Sequence, residues 1–182
     1  REYRSPEVIL GGDFDCDADM WSFGCILFEL ITGVMLFDPK VRPEATDETA
    51  MDALHLLEIE DVVGCPPPLE WLLHQDGSTG DFVFTKLQDV YELQTRDDDE
   101  RGCRVVTGVK PVFPFDIHSD SSSSASFGAN ARDLLKRVVQ NDADAGQWWS
   151  LITSCLHWRP EERATPEMLL EEPIIRGLWK DC

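Results

Sequence analysis

The order of apolar and polar positions predicts one dominant helix early in the chain and shorter ones behind it. Between Met20 and Ile31 the apolar residues are Met20, Trp21, Phe23, Cys25, Ile26, Leu27, Phe28, Leu30 and Ile31. At ~100° per residue they reach every face, the pattern of a helix buried on all sides. Asp17 suits the N-cap, since its carboxylate can accept from the free amides of the first turn. Gly33 suits the far end, because glycine tolerates a left-handed conformation.

Met51, Leu54, Leu57 and Val62 then recur at helical spacing, with Asp52, Glu58, Glu60 and Asp61 among them. Cys65-Pro66-Pro67-Pro68 stops that helix, since proline lacks the amide hydrogen and clashes with the preceding turn. Glu70–His74 suits one brief further turn. Ala129–Gln140 carries the stripe Leu134, Leu135, Val138 and Val139, and Gly146–Leu156 follows with Trp148, Trp149, Leu151, Ile152, Cys155 and Leu156. The last helix starts at Thr165 as N-cap, with Pro166 and Glu167 suited to the first turn, and Pro173 closes it. Between these, Asp38–Ala50 reads as a polar loop and Asp81–Val90 as a short strand or turn. Arg96–Arg101, with its acidic run, and the serine-rich Ser119–Ser126 read as solvated loops. The pattern is all-helical with loops.

The chain of 182 residues has room for one domain with a real core, or for part of a larger one. Its 16 Lys and Arg against 35 Asp and Glu give a formal charge of −19. Such a surface repels phosphate backbones and anionic lipid, which argues against nucleic-acid and membrane partners, and it attracts basic peptides. The same excess also serves solubility. The longest apolar run is too short to span a bilayer and carries Glu29. Six cysteines form no CxxC pair, the usage of a reduced protein of cytoplasm or nucleus, and four scattered histidines have no zinc spacing.

Two charged residues sit at the edges of apolar blocks. Glu7 follows Pro6 and precedes Val8-Ile9-Leu10, and Arg163 lies between the tryptophan-rich helix and the last one. Either would need a partner if buried, because a lone buried charge costs several kcal/mol; most such residues are solvated. In this setting Tyr3-Arg4-Ser5-Pro6-Glu7 resembles the Ala-Pro-Glu motif that ends a protein-kinase activation segment. Asp19-Met20-Trp21-Ser22-Phe23-Gly24-Cys25 resembles the kinase D-x-W-S-x-G-C helix. Arg163-Ala164-Thr165, with Leu170 and Pro173, resembles the R-x-T…L-x-x-P ending of the domain. Arg4 after Tyr3 is typical of the CMGC group, and the opening string looks most like SR-protein kinases, with dual-specificity tyrosine-regulated kinases second. Glu172 and Ile174 depart from the usual histidine and aromatic residue of that ending.

The resemblance implies a mainly α fold, the C-terminal portion of a kinase C-lobe. Residues 1–178 would be a partial kinase domain, with an acidic CMGC-type insert at about 40–130 and a tail at 179–182. Tyr3, Arg4 and Ser5 would line the substrate; Glu7 and Arg163 would form a buried ion pair; Asp19, Trp21 and Gly24 would be structural, Asp19 holding the backbone of a catalytic loop. The sequence starts at Arg1, in mid-pattern and without Met, so the ATP- and Mg-binding motifs of the parent are expected upstream. No catalytic, cofactor or metal residue is assigned within the chain. The partner would be a protein substrate, basic or Arg-Ser-rich; nothing sets an oligomeric state. An alternative stays open: a pseudokinase or docking module that binds basic, Arg-rich partners without catalysis. Because the neighbours of the apolar helix would lie outside the chain, the isolated 182 residues are expected to aggregate or to be molten.

Overall fold

The computed structural model describes residues 1–39, 47–73, 90–98, 103–111 and 127–180. A five-residue helix α1 (Pro6–Leu10) opens on proline at its first position and ends at Gly11, whose φ of 76° is left-handed. Helix α2 (Asp17–Thr32) ends at Gly33, φ 75°, whose amide returns to the Glu29 carbonyl at 2.7 Å. Asp17 is not its cap: it is the first helical residue, and the Asp15 carboxylate accepts from its amide at 3.0 Å. Helix α3 (Glu48–Val63) is capped by Asp47, whose carboxylate accepts from Ala50 N, and α4 (Leu69–Leu73) follows the proline run.

Strand β1 (Tyr91–Asp98) pairs antiparallel with β2 (Cys103–Pro111), from Tyr91 opposite Pro111 to Asp98 opposite Cys103, with an irregularity between Gln94 and Thr95. This hairpin corrects the all-helical expectation, and it places Arg96, Asp97 and Asp98 in a strand instead of a loop. The serine-rich stretch, and all of Asp81–Val90 except Val90, lie outside the described residues.

Helix α5 (Phe127–Val139) and helix α6 (Asp142–Ser154) come next; Asn141 caps α6 by accepting from Ala143 N and Asp144 N, so α6 starts earlier than Gly146. A 3-10 turn (Pro160–Glu162) leads to α7 (Pro166–Glu171), capped by Thr165, and to α8 (Pro173–Lys180). Pro173 therefore opens a further helix, because a first helical position has no amide bond to lose. That helix takes in residues 179 and 180, which the sequence leaves to a tail. Among the described residues no helix is long and apolar enough to cross a membrane.

The main core gathers Trp21, Cys25 and Phe28 of α2, Leu56 and Ile59 of α3, Leu135 of α5 and Ile152 of α6. Helix α2 packs against α5, α6 and the 3-10 turn. Close approach to α6 depends on Gly24: a Cβ there would lie 2.9 Å from Cys155 Cβ and 3.2 Å from the Ile152 carbonyl oxygen. Within this chain α2 is enclosed along one face. Phe23, Ile26 and Leu30 are exposed, Leu30 at 78%, and form one stripe opposite the buried residues. The enclosed helix is α3, buried continuously from Asp52 to Ile59. Within it His55 is fully buried against the Phe37 ring, at 5.2 Å, and its two ring nitrogens have no hydrogen-bond partner among the described residues. Burial first, and the nearby Arg4 charge second, push its pKa down to about 3.

Two outcomes follow for a folded protein carrying this segment. Gly24→Ala forces backbone and Cβ atoms apart, and should lower stability in urea unfolding by about 1–3 kcal/mol. For His55, above pH 6.5 the ring is neutral in both folded and unfolded chains; below it the unfolded chain takes a proton that the folded chain refuses until about 3. Stability should therefore fall with acidification over that window, by up to about 1.4 kcal/mol per pH unit. His55→Phe should remove this component of the pH dependence, and an unchanged slope would refute the assignment.

Candidate functional site

The segment before α1 lies against the first half of α2, and several side chains fix it there. Glu7 and Arg163 are both buried and meet in a bidentate pair, Nη1 to Oε1 and Nη2 to Oε2, each at 2.7 Å. The remaining donors of the guanidinium reach backbone oxygens: Nε to His157 at 3.0 Å, Nη1 to Asp17 at 2.9 Å and Nη2 to Trp158 at 3.4 Å. The group also lies 5.2 Å from the Trp21 ring, a cation–π contact. Trp21 in turn stacks on Phe37 at 5.9 Å. Every polar demand of Arg163 is thus met, the condition under which a buried ion pair is tolerated.

Tyr3 is held twice by α2. Ser22 Oγ donates to its carbonyl at 2.9 Å, and its own hydroxyl donates to Glu29 Oε2 at 2.6 Å. That bond to a carboxylate is the main cause that raises the Tyr3 pKa above its ordinary value. Arg4 is held by α3, its Nη2 donating to Asp52 Oδ1 at 2.8 Å. Ser5 is buried, and its hydroxyl has no partner among the described residues. Asp19 stands apart: it is exposed in the first turn of α2, and no side-chain hydrogen bond of its own is found among the described residues.

The sequence pairs Glu7 with Arg163 and marks Tyr3, Arg4, Trp21 and Gly24, and the fold gathers these around the start of α2. Ser22, Glu29 and Asp52 were missed as partners. The signal was present: an acid inside an apolar helix calls for a counter-charge or a donor, as it did for Glu7.

The described contacts of this segment fix backbone in place. The amides of Gly11 and Gly12 are spent on the carbonyls of Val8 and Glu7, so that glycine pair ends a helix and does not cradle a phosphate. Asp15, Cys16 and Asp17 bring ligand atoms within 4.8 Å of one another, but they lie at the surface where the chain enters α2. Burial raises the pKa of the Cys25 and Cys155 thiols, Cys155 to about 11, which removes them as nucleophiles. No described residue is therefore assigned to ATP or magnesium.

Comparison with known proteins places this geometry. Residues 1–175 match the protein kinase domain model. The chain is 31% identical over 175 residues to the probable serine/threonine-protein kinase dyrk2 of Dictyostelium discoideum, covering 96% of this chain and 15% of that protein. It is 47% identical over 64 residues to the serine/threonine-protein kinase SKY1 of Saccharomyces cerevisiae, covering 35% of this chain and 8% of that one. In structure it resembles a MAP kinase from Leishmania major, with a TM-score of 0.54 at 20% identity, over 98% of this chain and 37% of the other. The chain belongs to the protein kinase domain family, with relatives of CMGC type. It spans a small fraction of the length of the relatives named.

Removing one member of the buried pair should be costly. Glu7→Ala or Arg163→Ala strands the other charge, with an expected loss of about 3–5 kcal/mol in urea unfolding of the kinase domain. Replacing both by apolar residues of similar volume should recover most of that loss. Single substitutions with effects under 1 kcal/mol, on the same scale, would show that the pair is solvated.

Proposed function

We propose that this segment is the C-terminal part of the C-lobe of a serine/threonine protein kinase acting on basic, Arg-Ser-rich proteins, most like the SR-protein kinases. In this reading residues 1–178 belong to the kinase domain, with an acidic insert across 40–130, and the protein works in the cytoplasm or nucleus. Tyr3 and Arg4 line the substrate, and Ser5, expected there from the sequence, is buried behind them. Glu7, Trp21, Gly24 and Arg163 hold that wall, and Asp19 orients backbone contributed from outside the segment.

The observation that carries the substrate class is Glu29. Its carboxylate meets the Tyr3 hydroxyl at 2.6 Å, so a negative group is fixed at the wall that the acceptor peptide lies against. A carboxylate held this way suits a guanidinium, through charge-assisted hydrogen bonds. The formal charge of −19 acts in the same sense at longer range. Kinase chemistry is mostly positioning and charge stabilisation, and bound Mg·ATP supplies the phosphoryl group. The residues here contribute the positioning: α2 and Arg163 fix the backbone of residues 3–7, against which the acceptor serine must align.

The test is phosphate transfer by the complete kinase to an Arg-Ser peptide. Glu29→Gln should raise KM for that peptide about tenfold, the value of one charge-assisted hydrogen bond, with kcat changed less. Absence of transfer, or an upstream sequence without the V-A-I-K lysine, H-R-D and D-F-G motifs, would overturn the enzyme reading in favour of a docking module.

A further inference from the structure

Arg4 stands in the proposed wall, yet its charge is already engaged. Asp52 Oδ1 accepts from Arg4 Nη2 at 2.8 Å and from Arg1 Nη1 at 2.7 Å, so one carboxylate oxygen serves two guanidiniums. The side chain of Asp52 is 9% exposed. Glu48, one turn earlier on α3, pairs with Arg1 as well. Acids four apart on a helix share a face, and this face meets the two arginines that flank Glu2 and Tyr3. A pair so nearly buried is screened by salt far less than a surface pair.

The opposite flank of the same wall is acidic. Tyr3, between the two arginines, bonds to Glu29 of α2. Two charges of the wall would therefore oppose the attraction of Glu29 for a basic peptide, unless something offsets them.

We infer that Asp52 is a positioning residue that sets the charge preference of the substrate wall: by holding Arg1 and Arg4 and, together with Glu48, offsetting their two charges, it leaves Glu29 as the charge that an incoming peptide senses. This rests on the basic-substrate reading above and adds α3, the first helix of the acidic insert, as the element that tunes it. Asp52 need not touch substrate; it acts through Arg4.

The experiment uses the complete kinase and two peptides, a serine flanked by arginines and the same peptide with glutamines in their place. The native enzyme should prefer the arginine peptide. Asp52→Asn keeps shape and removes charge; KM for the arginine peptide should rise about fivefold, the scale of one partly solvated charge interaction, while the glutamine peptide is unaffected. Arg4→Gln in the D52N background removes the freed charge and should restore the ratio of the two KM values, which a structural defect would not. Arg4→Gln alone leaves Asp52 intact and should lower KM for the arginine peptide. A D52N enzyme with an unchanged ratio, a double variant that fails to restore it, or a rise in arginine-peptide KM with R4Q alone overturns the role of Asp52. A native enzyme indifferent to the arginines overturns the basic-substrate reading, and this inference with it, so the two failures are told apart by the native enzyme.

Discussion

Glu7 and Arg163 are 156 positions apart in the chain and meet where water is almost excluded. Desolvating two charges works against folding, and their attraction offsets that cost only if every remaining donor is also satisfied. Arg163 meets the condition by reaching the carbonyls of Asp17, His157 and Trp158 as well as the carboxylate. Those carbonyls come from the entry to α2 and from the turn after α6, so a single guanidinium ties three stretches of backbone together. The two ends of the segment are therefore tied to each other: Glu7, next to the residues that lie on α2, is held by an arginine from the region before the last helices.

The environments of α2 and α3 are set by partners more than by hydropathy. α2 has apolar residues all round yet buries mainly the face of Trp21, Gly24, Cys25 and Phe28. α3 carries acids and a histidine yet is enclosed. Asp52 is acceptable inside because two arginines reach it, and His55 because it remains neutral. At the far end of α3 the same economy holds: Gly128 lets α5 approach so closely that a Cβ would meet the Asp61 carbonyl oxygen at 2.4 Å, while the Asp61 side chain accepts from the Gly128 amide at 2.8 Å.

What was legible in the sequence was local or motif-borne. The span of α2, its glycine stop and the Thr165 cap follow from propensity and capping chemistry. Glu7, Trp21, Gly24 and Arg163 stood out through their motifs. Glu29 and Asp52 did not, because a helical pattern sorts residues by hydropathy and carries nothing about which distant donor will face a given acid. The hairpin is hidden by Asp97 and Asp98, whose charge reads as loop; the β-branched run Val105, Val106, Thr107 and Val109 is the opposing signal. Pro173 reads as a stop in the sequence and begins a helix in the structure, since proline serves both ends and only the following backbone decides.

The root of the hairpin has one more implication. Tyr91 is 1% exposed, and its hydroxyl reaches the Leu56 carbonyl of α3, so β1 is moored in the core at its first residue while the ladder runs outward from there. Lengthening a chain segment beyond a fixed mooring costs little, about 0.6 kcal/mol for each doubling of a closed loop. The outer end of the ladder, where Asp98 lies opposite Cys103, is thus where a change of chain length would disturb the core least. Length variation there can accumulate over evolutionary time while the mooring, and the helices it touches, keep their register.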